Sequence, residues 1–215
     1  MKRDMTRTKT DPTPADESST RQKIFAAALH EFAVYGKEGA RIDRISQSAG
    51  VNKAMIYYHF RSKEELHKEV VVSHYQRVRE RIVEEIAQDN SVEEALKTLA
   101  RIHAETAMQN PQMIPLLLRE LADPKEEIIE AIAEVLSGSG VPQLIRSMIQ
   151  REAAAGRIRK VDPRQAMVAF ISMSLGYYLL SPIIDRIIVH DDRPRFINER
   201  PEAIVDIFLN GLRTK

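Results

Sequence analysis

Apolar residues recur three and four positions apart over most of the chain after Ser18, and no stretch alternates convincingly between apolar and polar residues. The first spacing places side chains along one face of an α helix, whereas strict alternation is typical of a β strand. Glycines, prolines and capping residues divide the helical pattern into about nine segments. The sequence therefore predicts an all-α protein.

The pattern also divides the chain into three parts. Residues 1–18 have no apolar stripe; they begin basic and become rich in Pro, Asp, Ser and Thr, so we expect a disordered arm there. Residues 19–66 predict a small three-helix head, followed by the start of a fourth helix. Residues 67–215 predict a larger helical body.

Capping signals give most of the expected helix boundaries. Asn52 is the predicted N-cap of the third helix. Ser62 and Ser91 each stand three residues before a glutamate, which is the spacing of a capping box. Asp162, followed by a proline, predicts the start of a long apolar helix. We expect the last helix to begin at Pro201, after a polar loop.

Charge is spread unevenly along the chain, although the formal net charge is only +1. Through Leu66 there are 12 Lys and Arg against 9 Asp and Glu, a balance of +3, and the remainder has 20 against 22, a balance of −2. A basic head on a nearly neutral body has the sign expected of a nucleic-acid-binding protein.

The sequence contains none of the common catalytic or cofactor motifs. It lacks a GxSxG turn, a phosphate loop, a dinucleotide fingerprint and HExxH, and its six histidines show no convincing ligand spacing. The absence of cysteine excludes disulfides and thiolate metal sites and fits a cytoplasmic location. We therefore expect no enzyme, no cofactor and no metal site.

Residues 45–60 read ISQSAGVNKAMIYYHF, which is two helical pieces joined at Ala49-Gly50-Val51. A helix-turn-helix needs a small residue and a glycine near its turn, and apolar side chains that lock the two helices together. Ile45 and Ile56 can form that lock. The outward positions of the second piece are small or polar, which favours a helix that enters a DNA groove over a hairpin whose aromatic residues only fill a core.

A longer spaced pattern surrounds this turn. It consists of Ile45, Ser46, Ala49, Gly50, Val51, Asn52, Ala54, Ile56, Tyr57, His59, Phe60, Lys63 and Leu66. In this pattern residues 19–66 resemble the DNA-binding domain of the TetR family of bacterial transcriptional regulators. Ser46, Asn52 and Ala54 replace the family's Ala, Ser and Gly. Ala40-Arg41 stands where the family often has two hydroxyl residues, so we expect the second helix to lack its usual cap.

The resemblance implies two groups of DNA contacts. The positions expected to grip the DNA backbone are Thr20, Tyr57, His59 and Lys63. The positions expected to face the bases are Lys53, Ala54, Met55 and Tyr58, with Asn52 as the cap beside them. Arg44 and the basic arm before Asp11 either add sequence-independent affinity or are only solvated charge. The ring of His59 can equally belong to the core, and we assign Phe60 to the core.

The segment 166–184 is apolar on nearly all sides and about long enough to span a bilayer. Serines, Gly176 and Pro182 interrupt it, so we expect a soluble helix that is covered on more than one side, and no membrane partner. In the TetR family the last two helices of each subunit form an intersubunit four-helix bundle, which implies a homodimer here. The expected interface residues are Ser172, Leu175, Gly176, Leu179, Ile204, Ile207 and Phe208.

The resemblance further implies a ligand cavity in the body. The candidate lining residues are His103, Met108, Met113, Leu117, Met148, Phe170, Met173 and Tyr177. Methionines adapt to irregular ligands and favour an apolar or aromatic effector, although methionines at helical spacing are also typical of an ordinary core.

These expectations predict a sequence-specific transcriptional regulator that binds a palindromic operator in double-stranded DNA as a homodimer. Release of a repressor by a small molecule is the commoner behaviour of the family. The alternative is an architectural or protein-responsive DNA-binding factor that has no small-molecule effector.

Overall fold

The computed structural model describes residues 14–86, 91–189 and 192–213. Within these ranges the chain forms ten α helices and no strand longer than one isolated bridge, between Ile158 and Arg213. The helices are α1 (Pro14–Gly39), α2 (Ile42–Ala49), α3 (Lys53–Phe60), α4 (Lys63–Glu85), α5 (Val92–Gln109), α6 (Met113–Ala122), α7 (Glu126–Ser137), α8 (Val141–Ala154), α9 (Pro163–Ile184) and α10 (Arg193–Asn210). A π-helical turn, Asp185–Val189, follows α9. The prediction of an all-α fold is confirmed.

The chain separates into two compact units, Met1–Val70 and Val71–Lys215. The division falls inside α4, four residues after the boundary that the sequence pattern suggests. In the first unit α1 packs against α2 and α3. In the second unit α5 packs against α8, α9 and α10.

The core of the first unit joins the helix-turn-helix to α1. Ile24 and Phe32 of α1, Ile45 of α2 and Ile56 of α3 are fully buried, and Phe60 is nearly so. Burial of each such side chain stabilises the fold by about 1.5–3 kcal/mol. These contacts hold α2 and α3 on the α1 scaffold.

Local capping occurs at the predicted positions. Gly50 has a positive φ of 68° and ends α2, a conformation that favours glycine. The Asn52 side chain accepts a hydrogen bond from the Met55 amide at 2.9 Å. The capping box at Ser91 is complete, since Ser91 and Glu94 each accept from the other's amide. Arg41 precedes α2 without a side-chain cap, as predicted.

The first helix begins earlier than predicted. Residues 14–18, expected to belong to the disordered arm, form the first turns of α1, whereas residues 1–13 lie outside the described residues. Pro14 has a backbone φ suited to a first helical turn, and acidic residues follow it, which favours the positive end of the helix dipole. Residue 19, where we expected the head to begin, therefore lies inside α1.

The last helix also begins earlier, so the expected polar loop before Pro201 is wrong. Asp192 caps α10 by accepting from the Arg195 amide at 3.3 Å, and Pro201 lies inside the helix. A proline inside a helix costs about 3 kcal/mol because it removes one backbone hydrogen bond. Burial of Ile197, one turn before Pro201, offsets much of that cost.

The second unit has one main core and a smaller cluster. The main core is formed by 19 buried residues from α4, α5, α8, α9 and α10 and the chain between α8 and α9, including Leu96, Ile149 and Phe170. The smaller cluster consists of Ala104, Tyr177, Tyr178 and Ile197.

Two buried histidines make the stability of the fold depend on pH. Burial lowers the pKa of His67 and of His74 to about 4, from 6.5. Each histidine is neutral in the folded protein, whereas the unfolded chain binds a proton below pH 6.5. Their contribution is therefore complete above pH 6.5 and is lost as the pH falls towards 4.

We expect the free energy of unfolding to fall by about 2 kcal/mol per histidine between pH 7.5 and pH 5, since one pKa unit corresponds to about 1.4 kcal/mol. Urea unfolding at the two pH values measures this change. A His74→Phe variant should lose less stability on acidification than the parent. Equal stability of the parent at pH 7.5 and pH 5 would contradict the burial of neutral imidazoles.

Candidate nucleic-acid interface and ligand cavity

Helix α3 has one buried and one exposed face. Ile56 and Phe60 are buried at 0% and 3% exposure, whereas Tyr57 and Tyr58 are 48% and 67% exposed. Asn52, Lys53 and Ala54 are exposed and Met55 is half-buried. Two large aromatic side chains thus lie beside a small alanine on one accessible face. Such a face can approach a DNA groove closely and donate tyrosine hydroxyl hydrogen bonds.

Lys53 is held at the start of this face by a neighbour. Its ammonium group pairs with the Asp43 carboxylate of α2, and both side chains are well exposed. An exposed ion pair contributes about 0–1 kcal/mol. Lys53 can therefore leave Asp43 for a base or phosphate at little cost.

The predicted backbone-gripping positions have different surroundings. His59 is half-buried, and its Nε2 atom has no hydrogen-bond partner among the described residues. Lys63 begins α4, with its Nζ atom 3.4 Å from the Ala40 carbonyl oxygen. Thr20 is half-buried on α1. The first turn of α4 thus offers a lysine and the backbone amides of residues 63 and 64, whereas the Glu65 amide donates to the Ser62 hydroxyl at 3.0 Å; a lysine beside helix N-terminal amides is the combination that binds phosphate.

Arg44 differs from the expectation of a free phosphate-binding charge. Its Nε atom donates to the Glu31 carboxylate at 2.7 Å, and its NH2 group donates to the Gly39 carbonyl at 2.7 Å. Its guanidinium group also stacks over the Tyr35 ring, 4.1 Å from the centroid. Arg44 is therefore occupied within the first unit, where it links α1 to α2.

Glu31 is a functional residue that the sequence reasoning missed. It is 5% exposed and also accepts a hydrogen bond from the Arg41 backbone amide at 2.8 Å. In a capping box the glutamate of the helix's own third position accepts from this amide. The third position of α2 is Arg44, which has no carboxylate, and Glu31 of α1 accepts from the Arg41 amide instead. The available signal was a glutamate on the apolar face of α1, three residues after Ala28.

The second unit contains a cavity of about 300 Å³. Side chains of α4, α5, α6, α8, α9 and α10 line it, together with residues around the α7–α8 connection. The predicted residues that line it are His103, Met113, Leu117 and Phe170. Half of the eight residues predicted to line a ligand cavity therefore line this one.

The other four predicted residues do not line the cavity. Met108 is 45% exposed, Met148 is buried in the main core, and Met173 packs against that core. Tyr177 belongs to the smaller cluster and donates a 2.6 Å hydrogen bond to Asp185. The reason is that apolar periodicity identifies inward faces and does not separate a cavity wall from a packed core.

Polar groups also face the cavity. The His103 Nδ1 atom lies 2.9 Å from the Ser174 hydroxyl oxygen, and burial lowers the pKa of His103 to about 4. His74 and Tyr75 of α4 are lining residues that were not predicted. The available signal was a histidine, His74, within a helical segment that also carries apolar residues. In the described part of the chain no three His, Cys, Asp or Glu side chains could together hold a metal ion.

Helix α9 presents an uncovered apolar face. Val168 and Ile183 are 61% and 62% exposed, and Gly176 lies between them with open space where a Cβ atom would stand. The segment Pro163–Ile188 is long and apolar enough to cross a membrane, and 22% of its most apolar window is buried within the protomer. A single helix of this kind among the described residues is weak evidence for a membrane span, because the core helix of a soluble protein passes the same test of length and composition.

The predicted interface residues divide between this face and the interior. Ser172 and Ile207 are exposed and Gly176 is partly exposed. Leu175 and Leu179 are partly exposed and also line the cavity. Ile204 and Phe208, by contrast, are buried in the core of their own protomer, where Phe208 packs edge-on against Phe170. Because α10 packs against α5 and α9, these two side chains have little exposed surface left for a second subunit.

Comparison with known proteins gives three consistent results. Residues 24–70 match the model of the bacterial regulatory proteins of the tetR family. The HTH-type transcriptional regulator RutR of Escherichia coli K12 is 22% identical over 210 residues, which is 92% of each chain. The HTH-type transcriptional repressor SCO4008 of Streptomyces coelicolor is 46% identical over 56 residues, 26% of this chain and 29% of that protein.

A solved structure shows that the similarity of fold extends beyond the head. The transcriptional regulator FadR from Bacillus subtilis superimposes with a TM-score of 0.69 at 18% identity, over 89% of this chain and 98% of that one. The helix-turn-helix with its exposed α3 face, the family match over that region and the full-length relatives agree. Residues 24–70 therefore form a DNA-binding domain of the TetR family of bacterial transcriptional regulators, and the chain as a whole is similar to such regulators.

Proposed function

We propose that this DNA-binding regulator is a repressor that binds a palindromic operator as a homodimer and is released by a small, mainly apolar ligand. The observation that carries the proposal is the exposed face of α3, where Tyr57 and Tyr58 lie beside Ala54 on a helix locked into a helix-turn-helix. The relative SCO4008, which is 46% identical over 56 residues, is named a repressor.

In this proposal, contacts to the DNA backbone fix the position of the head. Tyr57 donates its hydroxyl to a phosphate, and Lys63 adds its charge to the free amides of the α4 N-terminus. Thr20 and His59 lie in the same unit and can add hydrogen bonds. Lys53, Met55 and Tyr58 read base edges, with Lys53 exchanging Asp43 for a guanine and Met55 contacting a thymine methyl group.

Two copies are required because one short helix reads too few bases for a specific site. A two-fold dimer presents two α3 helices to two half-sites of a palindrome. The uncovered face of α9, with Val168, Ser172, Gly176 and Ile183, supplies an apolar surface for that dimer, and Ile207 of α10 extends it.

Release from DNA requires a ligand that binds more tightly to the conformation that cannot bind DNA than to the conformation that can. A coupling free energy of about 1–3 kcal/mol is typical for such regulation. The 300 Å³ cavity is the candidate site, at the lower end of the usual range for ligand pockets. The solved FadR structure, described as a complex with stearoyl-CoA, supports the use of this fold for ligand binding.

The relatives are named as transcriptional regulators, which favours this function over an architectural factor without an effector. We also propose that the protein acts in the cytoplasm, where its DNA lies, and has no catalytic role. Purified protein should shift an operator fragment, and a small apolar molecule should reverse the shift. Selective binding that no metabolite reverses would instead favour the factor without an effector.

Two substitutions test the proposed phosphate contacts. Lys63→Gln should weaken operator binding and reduce the slope of log K against log salt by about 0.9, because one phosphate contact is lost. Tyr57→Phe should weaken binding about tenfold or more with an unchanged salt slope, because it removes a hydrogen bond to a charged phosphate but no positive charge. Fluorescence anisotropy between 50 and 300 mM salt measures both. Unchanged affinity in both variants would contradict the proposed interface.

A further inference from the structure

The lining of the cavity has very little charge. Of all the described side chains that line it, only Arg79 of α4 carries a formal charge at neutral pH, and none is a carboxylate. The remaining lining is mainly Leu, Ile, Met, Phe and Val. A buried charge needs a partner or hydrogen bonds to offset its loss of hydration. A cationic ligand would find no counter-ion in this lining.

His103 provides an oriented polar group within the apolar wall. Its Nδ1 atom is joined to the hydroxyl oxygen of Ser174, which is 1% exposed. This contact between α5 and α9 fixes the ring and uses one ring nitrogen. This contact does not use the other nitrogen, Nε2, and His103 is one of the residues that line the cavity.

The state of the ring suits a neutral ligand. Burial keeps the imidazoles of His103 and His74 neutral, since the pKa of each is lowered to about 4. A neutral imidazole can either accept or donate at Nε2, according to which ring nitrogen carries the proton. The Ser174 hydroxyl can also accept or donate, so it is compatible with both forms.

We propose that the effector is an uncharged, largely apolar molecule that presents a single hydrogen-bonding group to the Nε2 atom of His103. The proposal rests on the proposed function of the cavity as the effector site. Ser174 is a positioning residue that orients the ring. The volume of about 300 Å³ limits the ligand to roughly the size of two or three fused or linked rings, or a medium-length chain.

Two fluorescent probes that share one ring system test this chemistry. N-phenyl-1-naphthylamine is neutral and has one N–H group, and 1-anilinonaphthalene-8-sulfonate is the same molecule with an added sulfonate. We expect the neutral probe to saturate one site per protomer and to bind at least about tenfold more tightly than the sulfonate, because a buried sulfonate loses its hydration and the mainly apolar lining offers it no charged donor besides Arg79. A Leu117→Trp variant should abolish binding of the neutral probe, because the added ring fills the cavity.

Variants of His103 and Ser174 distinguish a hydrogen bond to the probe from apolar packing against it. His103→Leu should weaken the neutral probe about five- to tenfold, whereas His103→Gln, which retains a hydrogen-bonding amide, should restore most of the affinity. Ser174→Ala should cause a smaller loss, about two- to threefold, since the ring remains but is less fixed. Circular dichroism checks that each variant folds.

Two results would overturn the inference: unchanged affinity of the neutral probe in His103→Leu, or equally tight binding of the sulfonate that Arg79→Gln removes. The second result would identify an anionic effector. A labelled operator fragment in the same titration tests release separately. A neutral probe that binds through His103 without releasing the operator would leave the ligand chemistry supported and would contradict the proposed function instead.

Discussion

Replacement of Gly176 by glutamate should convert the protein into a folded monomer with a greatly weakened operator affinity. A Cβ atom at Gly176 meets no heavy atom within 4 Å, so the side chain of the variant starts in open space on the protomer. Glutamate also has a better helix propensity than glycine, by roughly 0.5–1 kcal/mol. The variant protomer should therefore be at least as stable as the parent.

The same substitution places a carboxylate on the face of α9 that we assign to the second subunit. An unpaired charge in an apolar interface costs several kcal/mol. Loss of the dimer removes the second half-site contact, and the operator affinity should fall by about 10²- to 10⁴-fold. Sedimentation velocity measures the mass, and fluorescence anisotropy measures the affinity.

Gly176→Ala is the matched control, because it adds one methyl group and no charge. It should remain a dimer and retain most of the operator affinity. Gly176 is a better target than Leu175, since Leu175 also lines the cavity and its substitution would change two sites. A Gly176→Glu protein that sediments as a dimer would contradict the assignment of this face.

Replacement of Glu31 by alanine should destabilise the first unit and weaken DNA binding. The Arg41 amide and the Arg44 guanidinium would both lose the carboxylate that they now share. Removal of the carboxylate leaves the amide without its acceptor and the guanidinium without its ion-pair partner. Because Glu31 joins α1 to the start of α2, and α2 braces α3, the loss should reach the DNA-binding face.

Urea unfolding measures the stability, and operator anisotropy measures the function. Glu31→Gln is the control: its amide oxygen can still accept from Arg41, so it should lose less than Glu31→Ala. A double-mutant cycle with Arg44→Ala should show that the two substitutions are not additive. Additive effects would mean that Arg44 acts on DNA directly and not through Glu31.

The sequence predicted the helix ends and the turn that depend on residues close together in the chain. Asn52, Ser91 and Asp162 cap their helices where the sequence indicates, because a capping hydrogen bond joins residues only two or three positions apart. The turn at Gly50 follows for the same reason, since its positive φ is a property of one residue. The helix-turn-helix and the division of α3 into two faces were therefore predictable.

Features that depend on distant parts of the chain were not predictable. Pro201 indicates a helix start, yet burial of Ile197 and the cap at Asp192 carry α10 through it. Glu31 has a role only because the start of α2 approaches α1 in the folded unit.

The lining of the cavity and the dimer face also depend on tertiary structure. Met148 and Met113 are both buried methionines, but only Met113 lines the cavity. Likewise Ile207 is exposed while Phe208, its neighbour, is buried. Helical periodicity shows that a face is apolar, but it does not show whether that face contacts the protomer core, the cavity or a second subunit.

The most direct test of the account is a footprint on the DNA that flanks the gene for this protein. We expect the purified protein to protect an inverted repeat, with half-sites separated by about one helical turn or a multiple of it. Scrambling one half-site should weaken binding by orders of magnitude. Protection that ignores the repeat, or equal affinity for scrambled DNA, would contradict the central claim of a sequence-specific dimeric regulator.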